Sequence, residues 1–571
     1  MRTEQALTAP DMFRDLAAFY VRDEHQVVQD LLAQIQLDPA TRARVFEDAR
    51  GLVADIRADD RATSTIDDLL LEYGLSTEEG VTLMRLAEAL IRTPDFATSR
   101  SLIRDKIGGA NWSAHAGKSQ SFLVNQATNG LRLTSAWVAG TGGPGAKNLL
   151  AKLGDQVMER AVEQAMAIMG DHFVLGRDID QAIKRAQKAE RAGFTHSYDM
   201  LGEAAHTHDD ADTYFEAYRK ALQKLATNTV ATSDMAEASG LSVKLSALHP
   251  RYEYAHRDTC LPVLIDRLTE LARIAAAAGL WLNIDAEEAD RLEVSLLVFE
   301  QLLTVRDLKD WPGLGLVIQA YQRRAIPVID HIHDLTRNAR RKIAVRLVKG
   351  AYWDMEIKRA QEMGLASYPV FTRKENTDVS YLACAGKLLR MNETIFPQFA
   401  THNAHTAVAI AHMAGSGAEF EFQRLHGMGG ALHARLMDIY GAPSRIYAPV
   451  GMHKDLLPYL VRRLLENGAN SSFVNQLMDD RVEIDAIVTD PIRLASANTA
   501  AAHPRIPAPV DILEKGRLSA AGIDLTQSAV AANKAHIVAQ SRVHHASGLI
   551  KGYAVSDGPV IPIKAPQTQA L

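Results

Sequence analysis

The string DLLPYLVRRLLENG at 455–468 sets two adjacent guanidinium groups on a helical pattern. Spacing of three and four puts Tyr459, Arg462, Arg463 and Glu466 along one face, with Leu456, Leu457, Leu460, Val461 and Leu464 along the other. Such a helix is either an ordinary amphipathic element with a solvated charge stripe or, lying over a barrel mouth, a bidentate grip for a carboxylate. His402 and His405 in ATHNAHT, with His426 and Asp285, sketch a metal site of the hydrolase type. Two histidines three apart just past a strand have no assured common facing, so the pattern equally suits packing or a hydrogen bond to a cofactor. Lys244, Arg346 and Lys349 lie at or near the ends of separate β-rich runs. That distribution argues against a bound cation and for an anionic or electron-rich ligand, a requirement that a flavin with its pyrophosphate satisfies. GTGGPG, Gly140 to Gly145, matches G-x-G-x-x-G without the flanking strands of a dinucleotide site. Glu159 and Glu163 fall inside a continuing helix, and the string reads as a connector.

These residues have to be positioned by regular elements. From Ala9 to about Lys106 the apolar spacing is helical (Leu31, Leu32, Ile35; Leu83, Leu86, Leu90), and a further helix is expected from about Lys147 to Met169. Beyond residue 190, short β-rich runs alternate with helical stretches. The runs are THSYDML (195–201), LSVKLSA (241–247), LWLNID (280–285), LGLVIQAY (314–321), IAVRLVK (343–349), QFATH (398–402), EFEFQRL (419–425) and SRIYAPV (444–450). Eight strand and helix units predict an α/β fold, a (β/α)8 barrel, with a doubly wound open sheet as the rival. Closure predicts polar residues converging at the C-terminal strand ends, where Lys244, Asp285, Gln319, Arg346, Lys349, His402, Gln423, His426 and Tyr447 fall. The expected organisation is a helical arm and helical domain over 1–190, the barrel over 191–475, and an Ala-, Ser- and Pro-rich connector over 476–571 that is ordered only if docked.

Composition narrows the partners. The 571 residues carry 63 Lys and Arg against 69 Asp and Glu, a formal charge of −6. There is no basic field for a polyanion, so nucleic acid is not an expected partner. With 47% hydrophobic and 23% charged residues, a large core can be buried. Only two cysteines occur, Cys260 and Cys384, which excludes a disulfide framework and suits a reducing compartment. Acidic residues interrupt the opening MRTEQALTAPDMFRD where a signal peptide would need an apolar core, so none is expected there, and no apolar run reaches the roughly 18 residues that span a bilayer. The expected location is cytoplasmic, with peripheral association at the membrane left open.

Residue chemistry alone reaches a barrel enzyme with an anion-binding mouth. Eight segments, in order, go further: SVKLSALHPRYE (242–253), LNIDAEEADRLE (282–293), IQAYQRR (318–324), RLVKGAYWD (346–354), FATHNAHT (399–406), EFQRLHGMG (421–429), RIYAPVG (445–451) and YLVRRLLENGANSSFVN (459–475). Together they resemble the proline dehydrogenase family, in particular the proline dehydrogenase half of bifunctional proline utilization A proteins. The resemblance covers essentially all of 195–475 and, less specifically, the helical region before it.

The resemblance implies a distorted (β/α)8 barrel that holds FAD and oxidises L-proline to Δ1-pyrroline-5-carboxylate, with electrons passing to a membrane quinone. It implies that Lys244, Arg462 and Arg463 hold the proline carboxylate, that Tyr459 lies at the ring edge, and that Asp285 and Tyr447 are active-site residues. It places Ala286, Gln319, Arg346, Lys349, Gly350, Ala351, Thr401 and His402 at the cofactor, and it implies no metal. RLSAAGIDLTQ (517–527) resembles the connection to an aldehyde dehydrogenase half, and no second activity is expected from these residues. A ribbon-helix-helix DNA-binding segment is not evident, and self-association through the helical arm is left open. The competing readings are a metal-dependent barrel hydrolase and a non-catalytic oligomeric scaffold.

Overall fold

The computed structural model of the chain describes residues 11–59, 174–452 and 473–532, apart from a few positions within those spans, together with Thr98, 548–550 and 553–555. The GTGGPG string and the helix expected at 455–468, with Tyr459, Arg462 and Arg463, lie outside the described residues.

Eight parallel strands close into a barrel in sequence order: β1 Thr195–Met200, β2 Gly240–Val243, β3 Trp281–Ile284, β4 Leu314–Gln319, β5 Ile343–Val348, β6 Ile395–Ala400, β7 Glu421–Leu425 and β8 Ser444–Val450. Closure is made by β8 lying beside β1, from Thr195 opposite Arg445 to Met200 opposite Val450, which decides against the open sheet. All six residues of β4 and the first five of β5 are buried, as parallel strands covered on both faces require. Two strand limits depart from the sequence reading by three residues or more. β6 starts at Ile395, earlier than expected, because Pro397 masks the strand pattern while sitting opposite Val345. β2 stops at Val243: the Lys244 N–H donates to the Tyr218 hydroxyl at 3.2 Å, and Leu245–Ala247 turns away as a 3₁₀ helix.

Within the described residues 11–59 the arm forms three helices: α1 Asp11–Tyr20, α2 Glu24–Gln34 and α3 Pro39–Ala58. Asp23 and Asp38 cap α2 and α3 by accepting the Gln26 and Thr41 N–H groups. Helix α4 (Ile179–Glu190) leads into β1, and α5 His208–Asn228, α6 Arg257–Ala277, α7 Leu292–Leu303 and α8 Ala325–Ala339 follow β1 to β4 in turn. Helices α9 Trp353–Met363 and α10 Lys374–Leu389 follow β5, then α11 Ala404–Ala414 follows β6 and α12 Gly430–Tyr440 follows β7. Cys260 in α6 and Cys384 in α10 are buried free thiols. Among the described residues no helix is long and apolar enough to cross a membrane.

The arm is fastened to the barrel rim by a buried acid. Glu24 receives the Arg323 guanidinium at 3.1 Å, the Thr372 N–H at 2.9 Å and the Asn376 amide at 2.7 Å. Val27, Val28 and Leu31 of α2 bury their apolar face against Phe371, Val379 and Ala383. The connector docks on the same side: Asp524 accepts the Tyr20 hydroxyl at 2.9 Å, Gln527 accepts Arg324 at 3.0 Å, and the Ser528 N–H donates to Glu293 at 2.8 Å.

The N-terminal end of the barrel is plugged by an ion pair. Arg445 gives Nε and one terminal nitrogen to the two oxygens of Glu421, at 2.7 and 2.8 Å, and both side chains are fully buried. Gln423 donates to the same carboxylate at 2.6 Å. Deleting one member of a buried pair strands the other charge in low dielectric, which costs about 3–5 kcal/mol. Arg445→Met is therefore expected to lower the unfolding free energy by about that amount in urea titration, and a loss below about 1 kcal/mol would contradict the role given to the pair.

Candidate active site

At the C-terminal mouth, side chains from five strands meet in one buried network. Arg346 projects from β5 across the barrel, donating to Ser197 Oγ on β1 and to Ser242 Oγ on β2, both at 2.9 Å, and to Asp285 Oδ1 at 3.0 Å. Its guanidinium also lies 5.3 Å from the centre of the Tyr447 ring. Asp285, just past β3, takes the Tyr447 hydroxyl at 2.7 Å on its other oxygen. Lys244, just past β2, donates to Asp199 of β1 at 2.7 Å and to the Tyr447 oxygen at 3.3 Å, and stands 3.5 Å from Asp285.

The network balances two cations against two carboxylates. Burial works against the Lys244 ammonium, yet Asp199, Tyr447 and Asp285 outweigh it and hold the lysine pKa well above its ordinary value. Burial, then Asp199 and Asp285, drive the Tyr447 phenol upward. At neutral pH Lys244 is an ammonium and Tyr447 a phenol, so neither accepts a proton. The arrangement can orient and polarise an anion. Asp199 was missed in the sequence. Its signal was an acid near the end of a buried strand, level with Ser242 of β2 and two residues short of the Lys244 level.

The other sequence candidates line the rim around this centre. Lys349 does not join it: the side chain turns outward to pair with Asp378 of α10 and lies 6.0 Å from the Tyr381 ring centre. Gly350 has φ +135°, and a Cβ there would run into the Tyr321 ring, so glycine is required. Ala351 beside it is exposed. After β6, Thr401 Oγ1 accepts the Asn403 N–H at 3.1 Å. His402 Nε2 accepts the Leu425 N–H at 3.1 Å, which puts the proton of the neutral ring on Nδ1. Beneath them burial depresses His433 to about 3, so its neutral ring bridges the Thr401 carbonyl and Ser444 Oγ. Ala286 and Gln319 line a cleft with Glu287, Glu288, Arg291 and Gln322, to one side of the Lys244 network. Gln319 donates its amide to the Glu287 carbonyl at 2.7 Å. Among the described residues, no three His, Cys, Asp or Glu side chains come together as a metal-holding group, so His402, His405, His426 and Asp285 do not form one.

The family model described as Proline dehydrogenase matches residues 182–476, just over half of the chain and the whole barrel. A model for the Proline utilization A proline dehydrogenase N-terminal domain matches 14–57, the arm helices. A third, the DNA-binding domain of Proline dehydrogenase, matches 65–173. That name does not fit the expectation of no nucleic-acid partner; apart from Thr98 the matched residues lie outside those described. The Bifunctional protein PutA of Salmonella typhimurium is 44% identical over 579 residues, covering 96% of this chain and 43% of that protein. Its Escherichia coli counterpart is 46% identical over 531 residues, covering 89% and 40%. A crystal structure of a Proline Utilization A mutant from Bradyrhizobium japonicum superimposes with a TM-score of 0.71 at 43% identity, over 94% of this chain and 53% of that one. The chain thus spans less than half the length of these curated relatives.

The loop carrying Asp285 is anchored from behind by a second buried acid. Glu356 of α9 accepts the Ala289 N–H at 2.6 Å, and burial raises its carboxyl to about 7 despite that bond. Between the ordinary value of 4.5 and about 7 the unfolded chain has released this proton while the folded chain retains it. Stability therefore falls as pH rises through that window, by on the order of 3 kcal/mol. Glu356→Gln removes the titration. The variant is expected to match the parent at pH 4.5 and to exceed it by about 2–3 kcal/mol at pH 8, measured by denaturant titration at both values.

Proposed function

Because the chain belongs to the proline dehydrogenase family, we propose that it oxidises L-proline to Δ1-pyrroline-5-carboxylate at the mouth of its barrel, with FAD as cofactor and a membrane quinone as the final electron acceptor. One observation carries the reading: the span matched by the family, 182–476, coincides with a closed barrel whose mouth concentrates Lys244, Arg346, Asp285, Asp199 and Tyr447. In the reaction the ring carbon beside nitrogen gives up hydride and the nitrogen a proton, leaving a C=N bond. FAD, when bound, supplies the hydride acceptor.

The residues present suit such a group. Arg346 Nε is buried without a hydrogen-bond partner, and the positive φ of Gly350 brings bare backbone to the rim. Arg346, Lys349, Gln319, Thr401 and His402 offer cationic and hydrogen-bonding groups to an electron-rich ring and a pyrophosphate, with Ala286, Gly350 and Ala351 supplying close backbone approach. For the substrate, Lys244 offers its ammonium to the carboxylate; its contact with Tyr447, 3.3 Å long, is the weaker of its two hydrogen bonds and the one to yield. Arg462 and Arg463 complete the carboxylate grip and Tyr459 bounds the ring. Fixing the carboxylate on one side orients the reacting carbon. Asp285 keeps both the Arg346 guanidinium and the Tyr447 hydroxyl in place.

Two measurements test this. The purified chain, supplied with FAD, is expected to show an oxidised flavin band that bleaches when L-proline is added without oxygen. A colourless protein, or a yellow one indifferent to proline, overturns the assignment. Hydrogen bonds to charged groups contribute about 1.5–3 kcal/mol each, so Arg462→Met with Arg463→Met is expected to weaken proline affinity at least about 100-fold while flavin stays bound.

A further inference from the structure

We propose that Glu287 is a positioning residue, which sets the spacing of Lys244 and Asp285 by lacing together the loops that follow β2 and β3. The inference rests on the reading of the mouth as a proline site.

Glu287 stands two residues beyond Asp285 and is only 7% exposed. Its Oε2 accepts the N–H of Ser246 at 3.1 Å, two residues beyond Lys244. Ser246 passes the link on: its Oγ accepts the Ala204 N–H at 3.0 Å, and its carbonyl accepts the Ala205 N–H at 2.9 Å. Those residues belong to the loop after β1, the strand that carries Asp199. On the other side the Glu287 carbonyl accepts the Gln319 amide at 2.7 Å, from the last residue of β4. An outer path of hydrogen bonds thus runs through the ends of β1, β2, β3 and β4 in order. The inner charges Asp199, Lys244 and Asp285 come from the same first three strands, and the Glu287 carboxyl bonds the second loop to the third close behind them, with the Tyr252 hydroxyl donating to the Arg291 carbonyl at 3.2 Å further out.

The chemistry of the position is costly for packing alone. Among the described residues no lysine or arginine pairs with the Glu287 carboxyl, and burial together with Glu288 lifts it to about 7. A leucine or methionine would fill the same space without burying an acid. An acceptor at this point does what an apolar side chain cannot: it fixes the backbone two residues from each of two interacting side chains. Small misplacements at such a distance matter, since an error near 1 Å in a reacting geometry costs about 100-fold in rate.

The test compares Glu287→Gln, which keeps an oxygen acceptor for the Ser246 N–H, with Glu287→Met, which does not. In flavin-loaded protein, Glu287→Gln is expected to keep kcat within about 3-fold of the parent, whereas Glu287→Met loses about 10-fold or more. A second readout is equilibrium binding of a five-membered ring carboxylate that lacks the oxidisable nitrogen, followed by the flavin absorbance shift. Glu287→Met is expected to bind it about 10-fold more weakly, whatever its melting temperature. If Glu287→Met does not fold, Glu287→Asp, which withdraws the carboxylate by one methylene, is expected to show both losses in smaller degree. Parental kcat and analogue affinity in Glu287→Met, or in Glu287→Asp where that variant stands in, overturn the inference. So does a Glu287→Gln that falls as far as Glu287→Met, because charge rather than the acceptor would then be what matters. A parent that does not oxidise proline overturns the reading of the site and this inference with it; an active parent with unaffected variants overturns the inference alone.

Discussion

The mouth of this barrel depends on a closed balance of buried charge. Two cations and two carboxylates out of water are tolerable only when every charge faces its opposite. Arg346 meets that condition by reaching three side chains from three other strands, and Lys244 by meeting an acid from β1 and one from the β3 loop. Such a network cannot be loosened one member at a time, because each removal leaves an uncompensated charge in a low dielectric. The same rigidity preorganises it: fixed dipoles and charges need no rearrangement when an anion arrives.

Holding that geometry is the task of the rest of the chain. The partners are remote in sequence, with 149 positions between Ser197 and Arg346 and 203 between Lys244 and Tyr447, so only barrel closure brings them together. Closure alone leaves the strand-end loops free to drift. Those after β3 and β4 are pinned from outside. Arg324, wholly buried under the Tyr20 ring, donates to the Ala289 carbonyl at 2.5 Å and to Gln527 of the connector at 3.0 Å. The arm and the connector therefore meet on the guanidinium that steadies the Asp285 loop.

Much of this was legible in the sequence, and the illegible part has physical reasons. Eight β-rich runs announced the barrel, and SRIYAPV matched β8 at both ends because its proline, Pro449, falls only one residue before the strand ends. The start of β6 was hidden by Pro397, and the end of β2 by a turn that depends on Tyr218, a tertiary contact no local pattern reports. Lys244, Asp285, Arg346 and Tyr447 were found as polar residues at strand ends. Asp199 carried the same signal and was passed over, whereas the roles of Ser197, Ser242 and Glu287 come only from what faces them in the folded barrel, which no local pattern reports.

Lys349 was grouped with Lys244 and Arg346 on sequence alone, and the structure separates them by what it would cost each to move. Arg346 has a side chain 3% exposed and three hydrogen-bond partners, and withdrawing it would leave Asp285 and two serine hydroxyls to be satisfied anew. The Lys349 side chain is 29% exposed in a pair with Asp378, so water already shares part of its charge. An anion settling on the loop after β5 therefore has less to displace in recruiting Lys349 than in moving Arg346, which stays where the fold has fixed it. Fixed and recruitable cations side by side give a mouth that is rigid at its floor and adaptable at its rim.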